Sequence, residues 1–485
     1  WSSDVCSSDL SMLDLTHLSI DLGDINTITD QRISSLSQSI QTLTQLQSVK
    51  INLRNCENLT DASIVKLTKA ISGAANLEKL SLQFKTCDQI TDQSISALAK
   101  NLCFMTNLTD VEIAFSGSLS ITNTGISHLI VAFEHLKNLK KLRITFNVCN
   151  IGDDGINQIV LGLQNLPHLE DLQVSFRGCS EITNKGLSHF SDNVSKLVNL
   201  RELSIDFEGC KKINDNGVSS IAQCLGAFPL LETVNLNFDR CLYVSDPGLT
   251  KLAGSIISTK NLKSFGLSFR ECNLITDEGV SALSKALKDM TQISRLNLGL
   301  KGLSKISSDS LLALSEALNE FLELKTCELD LEGCFNITDE GCTYIIEALT
   351  STKSLEKLSL NLKGCFNIGN SCLKQIGKHI SSFKGLKELS LNLNECIKIT
   401  DGGLSQLAIY MPVLQELITL NLRLSCCTKI SDEGATQLAS ALASISHLRT
   451  LEFELKECPN ISKGGFSQIS GFLEHANIPN LKLVY

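Results

Sequence analysis

The sequence predicts an α/β solenoid: about fifteen repeats of 31 residues, with a curved parallel sheet on the concave side and helices on the convex side. Three observations predict it. Twelve of the nineteen cysteines form a ladder at Cys56, Cys87, Cys149, Cys179, Cys210, Cys241, Cys272, Cys334, Cys365, Cys396, Cys427 and Cys458, with Ile25, Ser118 and Leu303 on the remaining rungs. All steps are 31 residues except one of 30, from Cys149 to Cys179. Before each rung runs a period-2 apolar alternation, which reads as a strand with one buried face. After each rung comes an apolar stripe at helical spacing. Fixed-period self-similarity marks a fold in which each repeat buries its apolar face only against its neighbours.

One repeat, residues 77–108, justifies the elements in turn. Leu77 opens it, and Leu80, Leu82 and Phe84 alternate with Ser81 and Gln83 as the strand. Cys87 follows, and Ile90-Thr91-Asp92 turns into a helix whose buried stripe is Ile95, Leu98 and Leu102; Leu108 restarts the cycle. Asp or Asn recurs five residues past the rung, as at Asp30, Asp61, Asp92, Asp246, Asp277, Asp401 and Asp432. A short oxygen-bearing side chain there accepts orphan N–H groups at a helix start. Two residues later glycine recurs, as at Gly125, Gly155, Gly186, Gly279 and Gly434. Glycine weakens a first helical turn, so its recurrence predicts close contact between successive repeats. The third inward strand position is Phe from Phe84 to Phe269 and Leu from Leu300 to Leu455, which reads as core packing.

The pattern L-x-L-x-L-x-x-C-x-x-I-T-D-x-G, clearest at 358–369, 389–403 and 420–434, resembles the cysteine-containing leucine-rich repeat. The resemblance covers about residues 13–485. The 31-residue period and long helical segment are longer than that class uses and resemble ribonuclease-inhibitor-like repeats. The resemblance implies a protein-binding scaffold or receptor segment of a larger protein. Its best-known members imply an alternative, the substrate-recognition subunit of a ubiquitin ligase with an F-box upstream. Repeats of this kind would also suit a regulatory array attached to an enzyme such as a kinase. They would suit a GTPase-activating repeat protein too, which would need an exposed loop arginine.

No Pro/Ser-rich linker interrupts the period, so 11–485 is expected to be a single repeat domain lacking its N-terminal region and terminal caps. Residues 1–10, WSSDVCSSDL, fall outside the pattern and match the translation of a short-read sequencing adapter, so they take no part in the fold reasoning. The rung cysteines read as buried thiols acting as small hydrophobes, which favours a reducing, cytoplasmic setting. The sequons at Asn58, Asn336 and Asn460 share one repeat position and are by-products of the consensus. The sequence has no C-x-x-C, H-E-x-x-H or G-x-S-x-G motif, and I-T-D-x-G lacks the Lys and Ser/Thr of a phosphate loop. His128 and His135 lie seven apart without a third ligand. No catalytic residue, cofactor, metal or small-molecule site is therefore expected, and the chain is expected not to be an enzyme. The formal charge of −9 and the lack of clustered basic residues argue against nucleic acid, and no apolar run suggests a membrane.

A protein partner of unknown identity remains, and two surfaces are candidates for it. Just past the rungs, Phe335, Phe366 and Ile397 occupy equivalent loop positions, with Leu242 and Tyr243 three repeats earlier. They read either as an exposed patch or as a loop stack packed on itself. On the outward strand face, the column two before the rung is mostly basic, including Arg54, Lys85, Arg177 and Arg270. That column reads as a charged strip for an extended or acidic partner, or as solvated polar cover.

Overall fold

The computed structural model describes residues 14–485; the adapter-like segment 1–10 lies outside the described residues. The chain packs as two compact units, the first ending at Cys241 and the second running from Leu242 to Tyr485. The first unit holds eight strands, β1 (His17–Asp21), β2 (Ser48–Asn52), β3 (Lys79–Lys85), β4 (Asp110–Ser116), β5 (Lys141–Thr145), β6 (Asp171–Ser175), β7 (Glu202–Asp206) and β8 (Thr233–Asn237). Its helices are α1 (Asp30–Gln41), α2 (Asp61–Ile71), α3 (Asp92–Leu102), α4 (Asn123–Phe133), α5 (Asp153–Leu163), α6 (Asn184–Val194) and α7 (Asp215–Leu225). Strands pair in parallel in chain order, Val49 beside Leu80 and Leu82 beside Ile113, so each coil lays one strand on its neighbour.

The second unit repeats the plan. It begins with α8 (Asp246–Ile256), followed by β9 (Ser264–Ser268), α9 (Asp277–Lys288), β10 (Arg295–Gly299), α10 (Ser308–Leu318), β11 (Thr326–Asp330), α11 (Asp339–Leu349) and β12 (Lys357–Asn361). Then come α12 (Asn370–Ile380), β13 (Glu388–Asn392), α13 (Asp401–Tyr410), β14 (Thr419–Arg423), α14 (Asp432–Ala443), β15 (Thr450–Glu454), α15 (Lys463–His475) and β16 (Asn480–Val484). Strands β9 to β16 also pair in parallel in chain order. Each unit thus has the predicted α/β solenoid plan, a parallel strand and a helix per coil, with about fifteen coils between them.

Inside each coil the anticipated residues are the core. Leu80, Leu82, Phe84, Cys87, Ile90, Ile95, Leu98, Leu102 and Leu108 are all buried. Each Leu or Phe so removed from water contributes about 1.5–3 kcal/mol, which is what holds a coil that has no separate core of its own. In the first unit the phenylalanines stack coil on coil: Phe84 on Phe115 at 5.0 Å, Phe176 on Phe207 at 5.9 Å and Phe207 on Phe238 at 6.3 Å between ring centroids. The 30-residue step is a one-residue shortening between Cys149 and Asp153. Strand β5 keeps the 31-residue offset from β4 (Asp110 beside Lys141), whereas α5 opens at Asp153, 30 after Asn123 opens α4.

The Asp column works differently from expectation. Each Asp is the first helical residue, and it serves the start of the following helix. Asp61 Oδ1 accepts the Thr91 N–H (2.9 Å) and Oδ2 accepts the Thr91 hydroxyl (2.8 Å), while Thr91 Oγ1 caps its own helix at Gln93 N–H (3.2 Å). Asp246 does the same for Thr276 at 2.8 and 2.7 Å and also accepts the Gly279 N–H at 3.1 Å. The glycine column follows from this. A Cβ on Gly279 would lie 2.4 Å from Asp246 Oδ1, and one on Gly434 equally close to Asp401 Oδ1. Where serine replaces the glycine, as at Ser94, its hydroxyl donates to the same carboxylate, here Asp61, at 2.5 Å.

Candidate partner-binding surfaces

The loop past each rung starts from a turn in the left-handed region. Gly302, Gly333 and Gly364 hold φ near +70°, and Glu395 and Cys426 adopt it without being glycine. The next coil then ties the loop down. Asn336 Nδ2 donates to the Ser304 carbonyl at 2.9 Å, Asn367 Nδ2 to the Phe335 carbonyl at 2.9 Å, and Lys398 Nζ to Asn367 Oδ1 at 2.7 Å. The sequon residues Asn58 and Asn460 make the same inter-coil bond, to Asn26 and Thr428 at 2.7 and 2.8 Å. This column is structural stitching.

With their backbones so fixed, Phe335, Phe366 and Ile397 point outward, 45%, 40% and 42% exposed. Phe335 and Phe366 stack at 5.3 Å with their planes 6° apart. Stack and patch are thus one arrangement: the rings pack on each other by one face and leave the other in water. Leu242 and Tyr243 are also exposed, at 45% and 65%, three coils from Phe335 and apart from that stack. Leu274, exposed in the coil after Tyr243 and at the same loop position, belongs with them; its shared register with Tyr243 is the signal that could have found it.

On the strand face the basic side chains spend their charge on neighbours. Arg54 pairs with Asp24 at 2.8 Å, Arg177 with Glu208 at 2.9 Å and Arg270 with Asp330 at 3.0 Å. Arg143 bridges Asp110 and Asp171, and Lys363 bridges Glu332 and Glu395. Strands about 4.8 Å apart put same-face side chains of adjacent coils within pairing reach, so a column that looks basic along the chain is balanced across it. Burial pushes the Glu332 carboxyl up, but Lys301 and Lys363 outweigh it and leave it below the usual carboxylate range. Burial, with Asp206 and Asp239 beside it, raises that of Glu208 despite Arg177. Of the four basic candidates, Lys85 is exposed and makes no ion pair among the described residues.

The rung thiols are buried and donate to the carbonyl of the previous coil: Cys87 to Leu53 and Cys210 to Phe176 at 3.2 Å, and Cys396 to Leu362 at 3.3 Å. Burial pushes Cys87 and Cys179 up to about 11, and Cys149 and Cys365 up to about 12, so in the folded coil they stand as protonated thiols. Among the described residues no group of three or more His, Cys, Asp or Glu side chains is placed to hold a metal, and His135 lies beyond the end of α4. No described helix is long and apolar enough to cross a membrane. A shallow polar depression of about 550 Å³ crosses five coils of the first unit, lined by Asn76, Glu78, Lys140 and His168 among others. Asn107 and Asn138, also in its wall, are engaged by carbonyls of the preceding coils, at Ala75 and Thr106.

A family model described as leucine-rich repeat matches residues 267–284 and 417–439, each running from a strand into the following helix. No curated protein matches the chain. Among solved structures, a chain of the Rad7–Elc1 complex in yeast is similar at 16% identity and TM-score 0.50, covering 90% of this chain and 86% of its own. A leucine-rich repeat protein of Leptospira interrogans aligns over 98% of this chain and 97% of its own, more loosely, at 15% identity and TM-score 0.35.

Proposed function

We propose that this leucine-rich repeat chain, whose units are of the cysteine-containing and ribonuclease-inhibitor-like kind, is a non-catalytic protein-recognition scaffold. In this reading 11–485 is one repeat domain, and a protein partner docks on the loop edge of the second unit. The observation that carries it is the outward Phe335–Phe366 stack with Ile397 beside it. Aromatic anchors on a fixed backbone are what a protein interface uses, because they bury large area with little ordering entropy. Leu242 and Tyr243 extend the contact. Arg54, Lys85, Arg177 and Arg270 are secondary contacts; the three arginines would exchange their present carboxylates for those of the partner, and Lys85 needs no such exchange. A cytoplasmic, reducing setting suits the buried thiols.

A second reading, substrate recognition within a ubiquitin ligase, draws on the likeness of the repeat to the cysteine-containing class. A neighbour solved as a Rad7–Elc1 complex offers a fold of this kind held in an assembly. The test is affinity capture with three baits: wild type, Phe335→Ala/Phe366→Ala, and Arg54→Glu/Arg177→Glu. Loss of a stoichiometric partner only from the phenylalanine variant, with an unchanged circular-dichroism spectrum, supports the loop edge. Equal recovery by all three sinks both candidate surfaces.

A further inference from the structure

Cys342 and Cys372 stand outside the rung ladder. The third helical residue is glycine in α9 and α14 because a side chain there runs straight into the preceding coil. In α12 that place is taken by Cys372, and its side chain meets Cys342, the fourth residue of α11. The two sulfurs are 2.8 Å apart, and both residues are buried. This is inside sulfur–sulfur van der Waals contact and approaches the bonded separation of about 2.05 Å. The rung thiols differ, since each ends on a carbonyl oxygen of the previous coil and all point the same way.

We propose that Cys342 and Cys372 form a reversible disulfide joining α11 to α12, made by peroxide and undone by thiol reductants. Burial holds the Cys372 thiol protonated in the closed coil, so the reaction runs in the locally opened coil. There one thiolate attacks a peroxide oxygen, breaks the O–O bond and expels hydroxide, which leaves as water, and the sulfur becomes a sulfenic acid. The second thiolate attacks that sulfur and expels the other oxygen as water. Two thiols and one hydrogen peroxide give one disulfide and two waters. A small neutral oxidant suits a site reached only by local opening of the coil. The bond would pin the two coils that carry Phe335 and Phe366, so oxidation would rigidify the aromatic stack.

The test uses the full chain, reduced and then treated with hydrogen peroxide, both in buffer and in urea below the unfolding transition. After quenching, denaturation, alkylation and digestion, the expected product is a linked peptide joining Cys342 to Cys372. It should disappear with dithiothreitol and be absent from Cys372→Gly, which restores the glycine of the other coils. Recovery of both cysteines unlinked in both conditions overturns the proposal, as does linkage of either one to Cys365 or Cys396.

Discussion

The contact between Asp246 and Gly279 predicts a reversal of sign. Asp246→Ala removes the acceptor for the Thr276 N–H, the Thr276 hydroxyl and the Gly279 N–H, at 2.8, 2.7 and 3.1 Å. Bonds to a charged acceptor contribute about 1.5–3 kcal/mol each, and water recovers part at this half-buried site, so about 3 kcal/mol is the expected local loss. Gly279→Ala in the wild type drives a Cβ to 2.4 Å from Asp246 Oδ1 and 3.2 Å from its Cα. Overpacking of that kind costs about 1–3 kcal/mol. On the Asp246→Ala background the carboxylate is gone, and alanine's helix propensity, about 1 kcal/mol better than glycine's, should make the same substitution neutral or stabilising. The coupling is then about 1–4 kcal/mol. Global denaturation is a poor readout for a repeat array, whose coils open locally. Hydrogen exchange over α9 is the assay, and about 3 kcal/mol appears there as about 100-fold faster exchange. If Gly279→Ala slows or speeds exchange equally on both backgrounds, the account of the glycine column is wrong.

Further outcomes are expected. Native alkylation should label Cys103 and Cys426, which are partly exposed, well before any rung thiol; early labelling of Cys210 or Cys334 would contradict the buried ladder. Cys334→Ser should be tolerated to within about 1 kcal/mol, because a hydroxyl can replace the thiol as donor to Leu300, whereas Cys334→Ala should lose about 1–2 kcal/mol more by exchange of α11. Ser118, on a rung without cysteine, is buried and donates instead to the loop carbonyl of Ile90 at 2.6 Å, so a hydroxyl is accommodated at this position. The Lys482 hydrogen bond, helped by Arg423, holds the Glu452 carboxyl below the usual carboxylate range against its burial. A folded pKa below the unfolded one gives stabilisation that is complete above the ordinary value of about 4.3 and lost as pH falls through the folded value. Protection of the β16 amides, the intrinsic exchange rate divided by the observed one, should therefore fall between about pH 5 and pH 3, and Glu452→Gln should remove that dependence. An unchanged profile in the variant would refute the assignment.

The parts of the fold legible in the sequence were those carried by within-repeat periodicity. Leu80, Leu82 and Phe84 alternate, Ile95, Leu98 and Leu102 share a stripe, and all are buried. What escaped was most of what is settled between coils, the close contact at the glycine column excepted. Asp61 looks like a cap for its own helix until Thr91, thirty residues on, is placed against it. Arg177 looks like a free cation until Glu208 stands across the sheet. Stack and patch seemed alternatives for Phe335 and Phe366 because composition cannot show that one ring face is covered and the other open. Cys372 was readable, since a glycine column interrupted by cysteine aims a thiol at the preceding coil, but its meeting with Cys342 needed the helices in register.

The one-way service of the aspartates gives the array a polarity with consequences during synthesis. Each carboxylate is made about thirty residues before the helix start it accepts from, as with Asp401 and Ser431. An emerging coil therefore always finds its acceptor waiting on the coil already folded. Removal of a coil from the amino-terminal side strips the next helix of its acceptor, whereas removal from the carboxyl-terminal side leaves only a carboxylate facing water. Trimming from the two ends is thus unequal, and growth from the ribosome follows the tolerant direction.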